Sequence, residues 1–250
     1  MTCRLCGLAV PLIKAHIIPK PFFDSYNNTG RPPRVLQDHP KSYPKRIPIG
    51  FYDNGILCGP CDNGIGRWDE YATEILIRRL SDFSPIDQSD LVPARTLPRY
   101  DHQRLKLFFL SLLWRAGEST LPAFKRVRLG NFASTLRQLI RAHDPGDPEA
   151  FSVVLSVFGS GSTFPEEGIA ILDPHREKWS GINTYRFSLG VVTAHIKVDQ
   201  RPFRPPFSRL ILTPDAPLYL VTRDYATSAE LRLARRIAQA PHNRRALPRE

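Results

Sequence analysis

The sequence predicts an α+β protein in which an N-terminal zinc-stapled unit is followed by helices and an antiparallel sheet. Three observations support this fold class. Two Cys-x-x-Cys pairs lie in the first 61 residues, the middle of the chain has helical periodicity, and about residues 150–224 form short apolar runs between turns. We expect two domains, residues 1–82 and residues 83–250.

Composition and charge narrow the class of protein before any motif is considered. The chain has 250 residues, of which 42% are hydrophobic and 24% charged, and this excludes a wholly disordered protein. It has no apolar run near the ~20 residues that span a bilayer and no export signal, so we expect a cytoplasmic protein without a membrane partner. The formal net charge of +11 indicates a polyanionic partner.

The cysteines carry the strongest chemical signal. They are Cys3, Cys6, Cys58 and Cys61. A disulfide framework needs an oxidising compartment, and a redox Cys-x-x-Cys motif needs only one pair. Two pairs suit a tetrahedral zinc site in which each pair forms a tight turn and donates two sulfurs. We therefore predict a structural zinc ion at the four cysteines; the alternative is four thiols that never meet.

Short strands, a long loop and a helix account for the rest of residues 1–82. The apolar run at 8–19 is broken by two prolines and predicts a short strand. Residues 21–48 are polar and basic without a period, which predicts a long loop. An Asn-Gly turn within 51–57 adjoins another short strand. From Cys61 onward, apolar residues at helical spacing predict an amphipathic helix.

Residues 83–250 begin with a proline-containing linker and continue with helices and strands. The segment 104–116 is apolar nearly all round and predicts a buried central helix, while 131–142 predicts an amphipathic one. Five apolar runs then predict an antiparallel sheet at about 150–224: FSVVLSVF, GIAIL, TYRFSLGVVTAHIKV, RLILT and LYLVT. A last amphipathic helix is expected at 228–238.

The order of motifs in residues 1–70 resembles that of the zinc-stapled HNH endonucleases, whose catalytic unit is a ββα-metal fold. In that family a Cys-x-x-Cys pair precedes a His-Ile-Ile-Pro motif, a variable loop, an Asn just before Leu-Cys-x-x-Cys, and a helix. The matching text is CRLCG, KAHIIPK and FYDNGILCGPCDN. The resemblance implies a metal-dependent nuclease that hydrolyses phosphodiester bonds of nucleic acid, with DNA favoured over RNA.

The resemblance also implies roles for individual residues. His16 corresponds to the general base, since a neutral imidazole can take a proton from water near physiological pH. Asn54 corresponds to the middle Asn, which orients the histidine or contacts the metal. Asp62, with Asn63 as the fallback, corresponds to the last ligand of a catalytic Mg²⁺ or Mn²⁺ that stabilises the departing oxygen.

Ala15 departs from the family pattern. An acidic residue or a histidine normally precedes the catalytic histidine and binds the metal, and a methyl group cannot do so. The remaining candidate ligands are Asp53, Asn54, Asp62, Asp69 and Glu70. The alternative function is therefore a catalytically inactive zinc-stapled module that binds nucleic acid or protein.

Basic residues in and beside the 21–48 loop are candidate contacts to nucleic acid. They are Lys14, Lys20, Arg31, Arg34, Lys41, Lys45 and Arg46. A basic loop next to a phosphodiester site would neutralise substrate charge. Because no sequence-reading motif is recognisable, we expect a protein partner to supply target recognition. The resemblance places such a protein in a bacterial or phage defence system.

Three aromatic residues follow the His-Ile-Ile-Pro motif: Phe22, Phe23 and Tyr26. Aromatic rings on a loop can stack on bases of single-stranded nucleic acid. They can equally pin the loop to the body of the protein. We favour the second interpretation.

Overall fold

The computed structural model describes residues 1–24, 34–36, 45–46, 50–86, 93–159, 169–171 and 174–239. These ranges contain five α-helices and twelve β-strands, so the protein is a mixed α+β chain with a multi-stranded sheet. None of the described helices has both the length and the apolar character needed to cross a membrane.

The N-terminal part combines a two-stranded sheet with a helix. In chain order its elements are β1 (Ala15–His16), α1 (Lys20–Asp24), β2 (Arg34–Leu36), β3 (Lys45–Arg46), β4 (Tyr52–Asp53) and α2 (Gly59–Thr73). Strands β1 and β4 pair antiparallel, with His16 opposite Tyr52. Helix α2 begins directly after Cys58 and has a proline in its first turn, where the missing amide proton costs nothing.

The remaining elements form the larger part of the molecule. They are β5 (Ser84–Ile86), β6 (Ala94–Leu97), α3 (His102–Glu118), α4 (Phe132–Ala142), β7 (Val153–Phe158), β8 (Ile169–Ile171), β9 (His175–Trp179), β10 (Ile182–Leu189), β11 (Val192–Lys197), β12 (Leu218–Arg223) and α5 (Ala229–Gln239). The helices expected at 104–116, 131–142 and 228–238 correspond to α3, α4 and α5.

Helix α3 is the buried centre of the fold. The Asp101 carboxylate accepts a hydrogen bond from the Arg104 amide at 3.0 Å and thereby caps its first turn. Every residue from 105 to 116 is buried, including two cations. Lys106 is tolerated there because its Nζ donates to the carbonyl oxygens of Ala150 and Phe151, both at 2.9 Å. Arg115 is tolerated because it pairs with Asp69 of α2.

A seven-stranded sheet with the order β5-β6-β12-β7-β11-β10-β9 covers this helical layer. One face shares the core with α3 through alternate residues such as Phe187 and Ala194. The opposite face carries buried polar residues, among them Arg186 and His195. All pairings are antiparallel except that of β12 with β7, which is parallel.

The sheet differs from the expectation in several respects: it is mixed and not purely antiparallel, and its edge strand β9 lies outside the five apolar runs. The segment expected as a linker contributes β5 and β6, and the GIAIL run supplies β8, which pairs in parallel with β2 in a separate three-stranded sheet. The RLILT run is buried but forms no strand, only a bridge from Ile211 to Val154. An apolar run in the sequence indicates that its residues are buried. Whether they form a strand depends on pairing with residues remote in sequence, so the run alone does not predict it.

The 21–48 segment also differs from a plain loop. Its first residues belong to α1, and β2 and β3 lie within it. Phe22 and Phe23 are buried; the Phe22 ring stacks on Phe108 of α3 with 5.7 Å between centroids, and Phe23 packs edge-on against Phe51. These two aromatics therefore pin the chain to the core, as expected. Tyr26 lies outside the described residues.

Candidate metal and catalytic site

The four cysteines form a cluster whose geometry fits a metal ion. Their Sγ atoms all lie within 4.8 Å of one another, and those of Cys6 and Cys58 are 3.9 Å apart. A Zn–S distance of ~2.3 Å in a tetrahedron requires sulfur–sulfur separations of about 3.8 Å. All four are free thiols. The cluster can therefore hold a metal such as zinc, as the spacing of the cysteines predicts.

Two turns bring the sulfurs together. In the first, the Gly7 amide donates to the Cys3 carbonyl at 2.8 Å, and Gly7 has a φ of +82°, a conformation that glycine adopts without a Cβ penalty. In the second, Cys58 immediately precedes α2 and Cys61 lies in its first turn. A hydrogen bond of 2.9 Å from the Arg4 amide to the Ile56 carbonyl joins the two segments.

The surroundings of Cys3 favour its ionised form. Burial opposes ionisation of Cys3, but hydrogen bonds from backbone groups of Cys6, Cys58 and Leu5 outweigh it and lower the pKa of Cys3 to about 6. Burial and the neighbouring thiols raise the pKa of Cys61. A thiolate is the form that binds a metal, so amide donors around Cys3 prepare the cluster for metal binding.

Arginine side chains fasten the first cysteine turn to the helical layer. Arg137 of α4 donates its Nε to the Leu5 carbonyl at 2.8 Å. Arg4 reaches the C-terminal end of α3, where its Nη1 lies 2.8 Å from the Glu118 carbonyl and 3.2 Å from the Glu118 carboxylate. The cysteine cluster is thus held by elements of both parts of the chain.

His16 lies half-buried on β1, on the same face of the small sheet as Tyr52. The two rings meet edge-on with 6.4 Å between centroids. Lys14, two residues earlier and exposed, places its Nζ 5.4 Å from the centre of the Tyr52 ring. Ala15 is fully buried and pairs with Asp53 on the opposite face. The side chain at position 15 therefore points away from His16 as well as lacking a donor atom.

Helix α2 places Asp62 in its first turn and Asp69 two turns later on the same face. Burial raises the pKa of the Asp62 carboxyl, as does nearby Asp69, while the charges of Arg115 and His16 lower it. The fold therefore brings Asp62 into the electrostatic neighbourhood of His16. Asn63, the fallback ligand, is exposed beside it.

Asp69 is engaged by an arginine of α3. Arg115 donates Nη1 to Oδ2 at 2.8 Å and Nη2 to Oδ1 at 2.7 Å, a bidentate pair that occupies both carboxylate oxygens. Glu70 is exposed. Within the described ranges, the four cysteines are the only group of three or more His, Cys, Asp or Glu residues whose ligand atoms converge. A second ion near His16 would accordingly depend on few protein ligands and several waters.

Asp53 serves the fold. Its carboxylate accepts hydrogen bonds from the Gly55 amide at 2.8 Å, the Ser119 hydroxyl at 3.0 Å and the Thr120 amide at 2.8 Å. Although burial opposes ionisation, these donors lower the pKa of Asp53. Asn54 is exposed at the tip of the turn, where it lines a surface cavity together with Thr120 and Leu121.

The basic residues expected to contact nucleic acid fall into three groups. Lys14 is exposed next to His16 and Tyr52, whereas Lys20 is paired with Asp24 at 2.7 Å. Arg34, Lys45 and Arg46 lie on β2 and β3, where Arg34 is opposite Arg46. Arg31 and Lys41 lie outside the described residues.

Sequence reasoning missed Arg115. Its guanidinium is almost completely buried and also donates Nη1 to the carbonyl oxygen of His16 at 2.8 Å. The available signal is the presence of an arginine within an otherwise apolar central helix, because a buried arginine needs acceptors. The sequence alone does not identify those acceptors.

Comparison of the chain with protein-family models, with curated proteins and with solved structures finds no match.

Proposed function

We propose that this protein is a metal-dependent HNH-type endonuclease that hydrolyses phosphodiester bonds of DNA. The observation that carries the proposal is the placement of His16 on a two-stranded antiparallel sheet, in the electrostatic neighbourhood of Asp62 in the first turn of the following helix. A four-cysteine cluster suited to zinc holds that sheet and helix together. The pairing of β1 with β4 and the helix α2 that follows β4 support the proposal, since a ββα-metal unit needs two paired strands and a helix.

The proposed chemistry divides between two side chains. His16 is half-buried and keeps access to solvent, so its imidazole can take the proton of the attacking water. Asp62 offers carboxylate oxygens of the kind that Mg²⁺ or Mn²⁺ prefers. When bound, the divalent ion supplies Lewis-acid stabilisation of the charge on the departing oxygen. Asn54 and Asn63 are the secondary candidates for orienting His16 or supporting the ion.

Charge around the site favours nucleic acid as the substrate, and of the two nucleic acids we propose DNA. Lys14 is exposed on the same face as His16 and is placed to contact a phosphate next to the scissile bond. The formal net charge of +11 favours a polyanion in general. A protein partner would supply recognition of the target, and a defence system is the proposed setting.

A catalytically inactive zinc-stapled module that binds nucleic acid or protein is the second candidate. It is favoured by the buried methyl group at Ala15, where the HNH family has a metal ligand. It is also favoured by the bidentate commitment of Asp69 to Arg115, which removes one acid from the possible ligands.

Cleavage of supercoiled plasmid DNA with Mg²⁺ or Mn²⁺ distinguishes the two candidates. We expect His16→Ala to abolish cleavage, because a general base contributes about 10²- to 10⁴-fold to the rate. The matched control is His143→Asn at an exposed position with a left-handed backbone that Asn tolerates. Asp62→Asn should lose activity, while Asp82→Asn, at an exposed acid outside the proposed site, should keep it.

The cleavage and binding assays distinguish the nuclease from the inactive module. Cleavage that persists undiminished in His16→Ala contradicts the role of His16. Salt-sensitive binding of DNA by wild-type protein, without cleavage under any divalent ion, supports the inactive module. A parallel assay on RNA of the same sequence tests the preference for DNA.

A further inference from the structure

We infer that Arg115 is a positioning residue that holds His16 in place relative to Asp62, and that the helical part of the chain is thereby built into the proposed active site. The guanidinium lies between three elements. It is carried by α3, pairs with Asp69 of α2, and donates to the backbone carbonyl of His16 on β1. Its kinetic consequence rests on the proposed function.

The hydrogen bonds of Arg115 use most of its donor capacity. Nη1 donates at 2.8 Å both to the His16 carbonyl and to Asp69, while Nη2 donates to the other Asp69 oxygen at 2.7 Å. Nε donates to the Ser111 carbonyl of its own helix at 3.3 Å. Because the guanidinium is planar and rigid, these bonds fix the relative positions of the three elements.

The carbonyl that Arg115 contacts belongs to the proposed base itself. A shift of the Arg115 guanidinium would therefore move the backbone of His16, which carries the imidazole. Asp69 and Asp62 lie two turns apart on α2, so the same contact fixes the helix that presents Asp62. A lysine at this position would keep the charge but could not engage both carboxylate oxygens and the carbonyl with one planar group.

Burial keeps the ion pair between Arg115 and Asp69 formed. The side chain of Arg115 is 1% exposed and that of Asp69 17% exposed. Removing either partner would leave a charge with little access to water, and that cost keeps the pair formed in the folded protein. Both Asp62 and Asp69 interact electrostatically with His16, and Asp69 is the one of the two whose carboxylate is paired with Arg115.

Arg137 provides a matched control. It is also an arginine of the helical layer, and it also donates to a backbone carbonyl of the N-terminal part, that of Leu5 at 2.8 Å. Its contact supports the cysteine turn and not the strand of His16. Arg115→Lys and Arg137→Lys therefore make the same substitution at two arginines that each donate to a backbone carbonyl of the N-terminal part, Arg115 being the one that is also buried and paired with an acid.

The experiment combines kinetics with a measurement that needs no activity. For Arg115→Lys we expect kcat of DNA cleavage to fall about 10- to 100-fold, since small misplacements of a reacting group have effects of this size, with KM changed by less than about threefold. Arg137→Lys should keep kcat near the wild-type value. In NMR spectra of the zinc-loaded protein without DNA and without added Mg²⁺ or Mn²⁺, Arg115→Lys should shift the His16 ring signals, assigned with His16→Asn, and leave those of His143 in place.

The results test whether Arg115 positions His16. Unchanged His16 signals in Arg115→Lys overturn the inference, and so does an equal fall of kcat in both lysine variants. If Arg115→Lys does not fold, Asp69→Asn provides the same test, because it weakens the bidentate contact while keeping the size of the side chain. If the wild-type protein does not cleave DNA, the proposed nuclease function fails, while the NMR comparison still tests whether Arg115 positions His16.

Discussion

At the scale of single residues, three aspartates of the N-terminal part have different roles in the fold. Asp53 accepts hydrogen bonds from the loop after α3, and Asp69 is paired with Arg115. Asp62 makes neither kind of contact with the described part of the chain, and it lies in the electrostatic neighbourhood of His16. Among these three aspartates, Asp53 and Asp69 have both carboxylate oxygens engaged by hydrogen bonds within the fold.

Asp53 should make the stability of the protein depend on pH. Its pKa in the folded state is below the unfolded value, so its charge stabilises the fold above the unfolded pKa of ~3.9, and this contribution is lost as pH falls through the folded pKa. We expect Asp53→Asn to lower the free energy of unfolding by about 1–3 kcal/mol near neutral pH.

Urea denaturation at about pH 7 and about pH 3 measures this effect, and the difference between variant and wild type should shrink at the lower pH. Asp24→Asn is the control, because Asp24 is an exposed acid on α1. An equal loss of stability at both pH values would contradict the assignment of the charge as the stabilising feature.

The relative positions of residues that are close in sequence can be predicted from the sequence. The cysteine pairs, the placement of Ala15 and His16 on opposite faces of a strand, and the shared face of Asp62 and Asp69 all follow from turn, strand or helix geometry. Arg115 was not accessible, since its partner Asp69 is 46 residues away and the contact depends on how two helices pack.

At the scale of elements, α1 shows how a polar segment is anchored. Its two phenylalanines are buried, and the chain returns to the core at Gly50, which has a φ of +76°. A Cβ at Gly50 would lie 2.5 Å from a ring atom of Phe23. The close approach of this backbone to the aromatic ring requires glycine here.

Gly50→Ala should therefore destabilise the protein more than an equivalent substitution elsewhere. We expect a loss of about 2–4 kcal/mol, in which a left-handed alanine and the displaced ring each contribute. Gly130→Ala is the matched control, because Gly130 also has a positive φ but a Cβ there would have no described atom within 4 Å. Thermal and urea unfolding of both variants provide the comparison, and equal losses would exclude a steric contribution from Phe23.

The sequence predicts the helices better than the strands. The periodicity that identifies α3, α4 and α5 is contained within each helix. Strands β5 and β6 occupy a proline-containing segment without a clear alternating pattern, and they are strands because β12 lies beside β6. Such pairing joins residues more than a hundred positions apart, and no local pattern encodes it.

At the scale of the whole molecule, one buried core contains residues from both predicted domains. Helix α2 of the N-terminal part packs on α3, and Phe22 contacts Phe108. The cysteine cluster joins the chain start to α2, and Arg4 and Arg137 extend this connection to α3 and α4. Loss of the metal should therefore affect the protein as a whole.

Removal of zinc should lower the stability of the entire protein. We expect one zinc ion per chain by elemental analysis, and a fall in Tm of about 10 °C or more on treatment with a strong chelator, since structural zinc contributes several kcal/mol to folding. Reductant without chelator is the control, because it separates metal loss from thiol chemistry. A Tm that stays unchanged after the metal has been removed would contradict a structural role.

The position of β12 in the large sheet has a consequence for biosynthesis. This strand lies between β6 and β7, so the two earlier strands cannot be joined until residues 218–223 have left the ribosome. The cysteine cluster and α3, by contrast, are complete after about the first half of the chain has been synthesised. We expect the nascent chain to order its metal-binding end first, and to close its sheet only when translation is nearly finished.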